Sequence, residues 1–268
     1  MKKKSLFCVL VFANIAAVKV CGAVLYSDDF VYNAGNLVDV SGGNWVKASG
    51  SDQDIQVVDG NLVYGNYQAN GRMIELGQGD YDDRHSITSQ SGPVYAGMLL
   101  RVDEVGSGDT YFFAFGEGSG YDGRVFVQPG STNGTIQLGI NTGAGSDPGV
   151  VSGDYPTGTV IHIISRFDNS TDVISLWINP PGGEGDPDLI YTNPVSGTTI
   201  DSVVFRQGDG WDNGASTFYI DALRVGTQWS DVQSIPEPRS AALLLMAAAI
   251  LIGRQRLASR HSMKHSVT

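Results

Sequence analysis

The sequence predicts an all-β protein, an antiparallel two-sheet jelly-roll sandwich, and three observations carry that expectation. Glycine is abundant, 35 of 268 residues, and punctuates short runs rich in aromatic and β-branched side chains, as strands joined by tight turns require. Several runs alternate apolar and polar residues with the two-residue period of a half-buried sheet. Helical periodicity is nearly absent from the central region, and no repeat of about 20 to 50 residues points to a propeller or solenoid.

Taken in order, strands are expected at Ile55–Val58, Leu62–Tyr64, Arg72–Leu76, Val94–Val105, Tyr111–Phe115 and Arg124–Gln128. Thr135–Ile140, Val160–Phe167, Val173–Asn179, Ser202–Arg206 and Thr217–Val225 follow. Asp59-Gly60-Asn61 separates the first two and predicts a hairpin between them. Along Val160–Phe167 one face carries Ile161, Ile163, Ser165 and Phe167, which leaves His162 on the other, as a surface or hydrogen-bonded residue. Along Val173–Ile178 one face carries Ile174, Leu176 and Ile178, and the opposite face Val173, Ser175 and Trp177. Trp45, Trp177 and Trp229 read as core or sheet-packing residues. One large domain, residues 24–232, accounts for all of this, and it should close near Val225–Trp229.

Both ends read as addresses. Met1-Lys2-Lys3-Lys4, the apolar Leu6–Val18 and the small residues of Cys21-Gly22-Ala23 predict a Sec signal peptide, residues 1–23, cut after Ala23. Cys8 and Cys21 would leave with it, so no disulfide or thiol chemistry is expected in the mature domain. Near the other end stand Pro236-Glu237-Pro238, then twelve apolar residues from Ala241 to Ile252, then Arg254, Arg256 and Arg260. A helix of that length reaches about 18 Å, short of the ~30 Å hydrocarbon core. The basic residues would hold its end in the cytoplasm, placing everything before residue 236 outside the inner membrane.

This segment, residues 233–268 with a helix at 240–253 and a basic tail at 254–268, resembles the PEP-CTERM sorting signal of bacteria that make exopolysaccharide. Arg239-Ser240 stands where a Ser-Thr pair is more usual, and the tail beyond the arginines is long. The resemblance implies recognition by an exosortase, a membrane protease that removes the helix. The mature form would then lie at the cell surface or in the extracellular matrix. An ordinary single-pass tail anchor is the alternative.

Residues 24–235 hold 27 acidic side chains against 8 basic ones, a net charge of −19. Such a domain repels polyanions, so nucleic acid is not expected as a partner. The order of its segments resembles the concanavalin A-like (laminin G-like) jelly rolls. The likeness is carried by Ser27-Asp28-Asp29-Phe30, Tyr95–Val102, Asp172–Pro180 and the closing Tyr219–Thr227. In that architecture the first and last strands pair. The fold is shared by lectins, glucanases and adhesion modules, so it does not fix function.

No catalytic set is visible. Glu184-Gly185-Asp186-Pro187-Asp188 lacks the carboxylate spacing of a glycosidase strand and contains a proline in a turn. His85 and His162 stand alone, without a zinc pattern. Two features remain. Gln207–Gly214 sets Trp211 among Asp209, Asp212 and Asn213, suited to stacking on a sugar ring and bonding its hydroxyls, although the same residues make ordinary turns. Asp80, Asp82 and Asp83 are candidate calcium ligands, with a solvated turn as the alternative. The expectation is an exported, non-catalytic, lectin-like or structural module associated with exopolysaccharide, set against a divergent polysaccharide hydrolase or lyase.

Overall fold

The structure, a computed structural model, describes residues 22–233 apart from 66, 78, 109, 196, 198 and 208–215. Residues 1–21 of the expected signal peptide, the Pro236-Glu237-Pro238 motif, the apolar run and Arg254, Arg256 and Arg260 lie outside the described residues. Among the described residues no helix is long and apolar enough to cross a membrane.

Alternating strands stack into two antiparallel sheets. Sheet A runs β17 (Leu189–Thr192), β16 (Val173–Ile178), β15 (Val160–Asp168), β9 (Val94–Glu104), β19 (Thr217–Gly226), β7 (Met73–Leu76), β4 (Gln56–Val58) and β2 (Gly35–Asn36), and β1 (Val24–Asp28) also pairs with β19. Sheet B runs β13 (Val150–Val151), β12 (Thr135–Asn141), β11 (Asp122–Pro129), β10 (Thr110–Gly116), β18 (Ile200–Arg206), β8 (Asp82–Gln90) and β3 (Val46–Ser49), and β14 (Tyr155–Pro156) also pairs with β12. A separate ribbon joins β5 (Val63–Tyr64) to β6 (Tyr67–Gln68), and two short helices, α1 (Leu37–Val40) and α2 (Trp229–Gln233), complete the described elements. This is the expected jelly-roll sandwich.

The inner faces hold the residues that the alternation selects. Ile161, Ile163 and Phe167 from β15, and Ile174, Leu176 and Ile178 from β16, join one core with Phe30, Trp45, Phe113, Phe115, Phe205 and Phe218. Large aromatic side chains stand among the aliphatic ones between the sheets, and edge-on pairs such as Phe113 with Phe115, centroids 5.3 Å apart, fit their quadrupoles.

The first strand pairs with the last, Val24 opposite Gly226 and Asp28 opposite Leu223. An aspartate pair locks this closure. Asp28 is 5% exposed and accepts hydrogen bonds from Tyr26 Oη, Tyr32 Oη, Trp45 Nε1 and the Phe30 amide, at 2.6, 2.7, 2.9 and 2.8 Å. Asp29 takes Arg224 of the closing strand at 2.6 Å. A buried carboxylate with four donors has its charge satisfied.

Two expectations are corrected. Asp59-Gly60-Asn61 does not turn a hairpin. β4 pairs with β2 and β7, and β5 pairs with β6. The Leu62 amide instead donates to Asp221 on the outer face of sheet A, so the chain leaves the sheet and lies across it. There Leu62, Tyr67 and Ala69 pack on Met73, Leu99 and Ala222. The same ribbon covers His162, whose ring lies 5.7 Å from that of Tyr64. His162 is on the predicted face but is buried, and burial lowers its pKa to about 4.

The far end of that outer face is covered too. After β19 the chain turns into α2, whose Trp229 and Val232 pack with Tyr95, Ile164 and Trp177. The Trp177 and Trp229 rings meet edge to face at 5.0 Å. Val232 O would lie 2.7 Å from a Cβ on Gly97, so the helix seats only because residue 97 is glycine.

Candidate functional site

The outer face of sheet B is built differently. Its floor is apolar: Ala114, Phe126 and Val204 are at most 1% exposed. Over it lies a layer of tyrosines and arginines. The bulge between Tyr111 and Phe113 sends Phe113 to the core, opposite Val125 and Phe205, and aligns Tyr111 with Phe126 on the outer side. Tyr111 and Tyr121 stand 6.3 Å apart. The Arg124 and Arg206 guanidiniums lie 4.7 and 4.4 Å from the Tyr111 centroid, and Arg84 lies 5.7 Å from that of Tyr121. Cation–π contacts of this kind hold planar groups flat and are worth roughly 0.5–2 kcal/mol each as water is excluded.

Hydrogen bonds fix the layer at both sides. Arg124 donates to Tyr121 O and Gly145 O at 2.8 and 2.7 Å. The residue 142–149 segment therefore forms one wall, with Pro148 seated against Gly139. On the other side Tyr121 Oη donates to Ser49 Oγ, and Ser49 Oγ to Asp82 Oδ2. Arg206 Nε stands 3.8 Å from the same carboxylate. Asp82 is 3% exposed, and burial raises its pKa while Ser49 and Arg206 oppose the rise. Three of the eight cations of this acidic domain thus share one face with two tyrosines.

The three candidate calcium residues are not brought together. Asp82 and Asp83 are consecutive on β8 and point to opposite faces. Asp83 is fully buried on the core side, opposite Phe205. Asp80 accepts the Ser51 and Asp52 amides at 2.7 and 2.5 Å, bonds that lower its pKa. Among the described residues, no three His, Cys, Asp or Glu side chains gather to hold a metal. The sugar-binding candidates Asp209, Trp211, Asp212 and Asn213 lie outside the described residues. Gln207 before them is buried, donates to Gln53 O at 2.6 Å and accepts the Gly77 amide.

Sequence reasoning missed β8 and the tyrosine–arginine layer. The signal available was the recurrence of Arg and Tyr on neighbouring strands, visible only once the register is known. Burial and Asp54 raise the Asp83 pKa to about 9. A carboxyl that holds its proton at neutral pH resembles a general acid, but this one is sealed from substrate. Glu184 and Asp188 have structural partners. Tyr95 Oη donates to Glu184 and the Ile178 amide to Asp188.

The fold and this face define a class, the antiparallel jelly-roll sandwich with one open outer face. No family model matches the chain, and no curated protein matches it. Solved structures of similar shape include Cellulose induced protein, Cip1, at TM-score 0.48 and 12% identity, covering 76% of this chain and 97% of that one. Peanut lectin matches at 0.45 and 11%, over 76% and 97%. A sialidase matches at 0.47 and 14%, over 76% of this chain but only 19% of its own length.

Proposed function

We propose that the chain is an exported, non-catalytic carbohydrate-binding protein whose glycan site is the outer face of sheet B. One observation carries the reading: Arg84, Arg124 and Arg206 lie against Tyr111 and Tyr121 on the face that neither the ribbon nor α2 covers. Aromatic rings stack on the apolar faces of sugar rings, and guanidiniums donate in-plane hydrogen bonds to hydroxyls and carboxylates. Ser49 adds an exposed hydroxyl at the margin, oriented by its bond to the buried Asp82. Asp209, Trp211, Asp212 and Asn213 follow Arg206 closely in the sequence, and the proposal counts them as part of the site.

The same proposal assigns the ends to export: signal peptide, Pro236-Glu237-Pro238 sorting motif, an apolar segment held by Arg254, Arg256 and Arg260, and processing by an exosortase. The ectodomain then works outside the inner membrane, with exopolysaccharide as its partner.

The test is retention of the full-length chain on a panel of immobilised neutral and uronic-acid polysaccharides. Retention that falls about tenfold in Tyr121→Ala and in Arg206→Gln supports the site, since tenfold corresponds to about 1.4 kcal/mol. Retention unchanged in both variants, or none on any polysaccharide, overturns it. Release of reducing sugar from the panel would overturn the non-catalytic part. For the ends, a mature mass retaining residues 241–268 in the membrane fraction would replace exosortase removal with a stable anchor.

A further inference from the structure

At one end of the sandwich the β10–β11 turn meets the β15–β16 turn and the chain entering β18. Three side-chain oxygens converge there. A Cβ placed on Gly197 would lie 2.9 Å from Glu117 Oε2, 3.2 Å from Asp122 Oδ2 and 3.4 Å from Asn169 Oδ1. Two come from the β10–β11 turn and one from the β15–β16 turn, and they surround a point that only a glycine leaves free of side chain.

The second observation is independent of the acids. Asn169 is 7% exposed, and neither its Oδ1 nor its Nδ2 has a hydrogen-bond partner. An orphaned buried carboxamide costs about 1–3 kcal/mol, so its retention calls for a ligand. Nearby charges point the same way. Glu117 and Asp172 both push the Asp122 pKa up, beyond the effect of burial, and Arg124 opposes them. Thr199 Oγ1 donates to Glu117 Oε1 at 2.8 Å and orients that carboxylate.

We propose that Glu117, Asp122 and Asn169 hold a divalent cation, calcium in preference to softer metals. Two carboxylates and one carboxamide are hard oxygen donors. Calcium accepts six to eight such ligands at about 2.3–2.6 Å in loose geometry, with water filling the remainder. Without a His or Cys ligand the set does not suit zinc. Small movements of flexible carboxylates would close the three oxygens onto one ion, and the ion would tie the two turns to the entry of β18. This site is separate from Asp80, Asp82 and Asp83, and it does not depend on the glycan reading.

The test titrates calcium chloride into the full-length, EDTA-treated chain, following heat of binding and the melting temperature. The expected result is one saturable site and a rise in melting temperature that EDTA reverses. Asn169→Ala and Gly197→Ala should each weaken binding about tenfold or more, the scale of a lost charge-assisted contact. Asp80→Asn should leave it unchanged. Asn169→Ala removes an unsatisfied amide, so in EDTA it should melt at or above the wild-type temperature and in calcium below it. A purely structural asparagine would lower both. The proposal is overturned by the absence of saturable binding, by wild-type affinity in Asn169→Ala, or by equal losses of stability with and without calcium.

Discussion

The two outer faces of the sandwich begin from the same geometry and end differently. On sheet A the outward residues Leu99, Ile164, Trp177 and Ala222 are apolar, and the chain folds two of its own elements over them. On sheet B the outward layer is Tyr111, Tyr121, Arg84, Arg124 and Arg206, and among the described residues no helix or ribbon lies across it. The first face is concealed because water makes its exposure costly. The second keeps polar groups over an apolar floor and stays half-exposed. The comparison teaches that an apolar outer face is hidden by the chain itself, whereas a cationic and aromatic one can stay open to solvent, and the proposed glycan site rests on that difference.

The largest expected effect lies on the covered face. Trp177→Ala should cost about 3–5 kcal/mol, as large aromatic truncations do, because the ring is 4% exposed and packs on Trp229. Chemical denaturation would measure this, and glycan retention of the folded fraction should be unaltered. Tyr121→Ala reverses the pattern, with a loss of at most about 2 kcal/mol in the same denaturation and the retention loss described above. If Tyr121→Ala unfolds the protein while Trp177→Ala abolishes retention, the assignment of roles is inverted.

The next effect concerns pH and the wall between the faces. Asp83 holds its proton up to about pH 9 when folded, whereas an unfolded aspartate releases it near pH 3.9. Between those values the folded chain binds the extra proton, so stability falls as pH rises through that window. Asp83→Asn should therefore raise the melting temperature at pH 7–8 and lose its advantage near pH 4. A gain that is constant with pH would show that Asp83 is ionised in the folded protein. The smallest effect is a control. Arg101 stands 4.4 Å over Tyr219 and pairs with Asp103 on the outer face of sheet A, beside the ribbon-covered patch. Arg101→Ala should change stability by no more than about 1 kcal/mol and leave retention intact. If retention falls, an arginine–tyrosine pair on either face binds glycan and the distinction fails.

How far these regions could be read from the sequence follows the same division. β15 and β16 were legible because each has one face in the core and a strict two-residue period. The pairing of first and last strands followed from the jelly-roll resemblance. β8 was not legible. Asp82-Asp83-Arg84-His85-Ser86 has no apolar alternation, since its outward side joins the polar layer and its inward side lies at the sandwich margin. Those aspartates therefore suggested a solvated turn or a calcium loop. The ribbon of β5 and β6 was misread because Asp59-Gly60-Asn61 has hairpin chemistry, while the competing bond from the Leu62 amide to Asp221 spans 159 residues. The Glu117, Asp122 and Asn169 cluster was invisible for the same reason, its members being brought together only by turns at one end.

The position of β19 has a consequence for how the chain is made. It is the last strand, yet it lies inside sheet A, bonded to β9, β7 and β1, and the contact between Ala23 and Thr227 spans 204 residues. Such remote pairings fold slowly, because distant segments must meet before any bond rewards them. Sheet A cannot close until residue 226 has been synthesised. By then almost the whole domain has been made, and only nine residues separate its final strand from Pro236. Under the proposed export, a C-terminal segment that pauses at the membrane would hold the nascent domain in place while β19 finds its slot, and the order of synthesis would couple completion of the fold to arrival of the anchor.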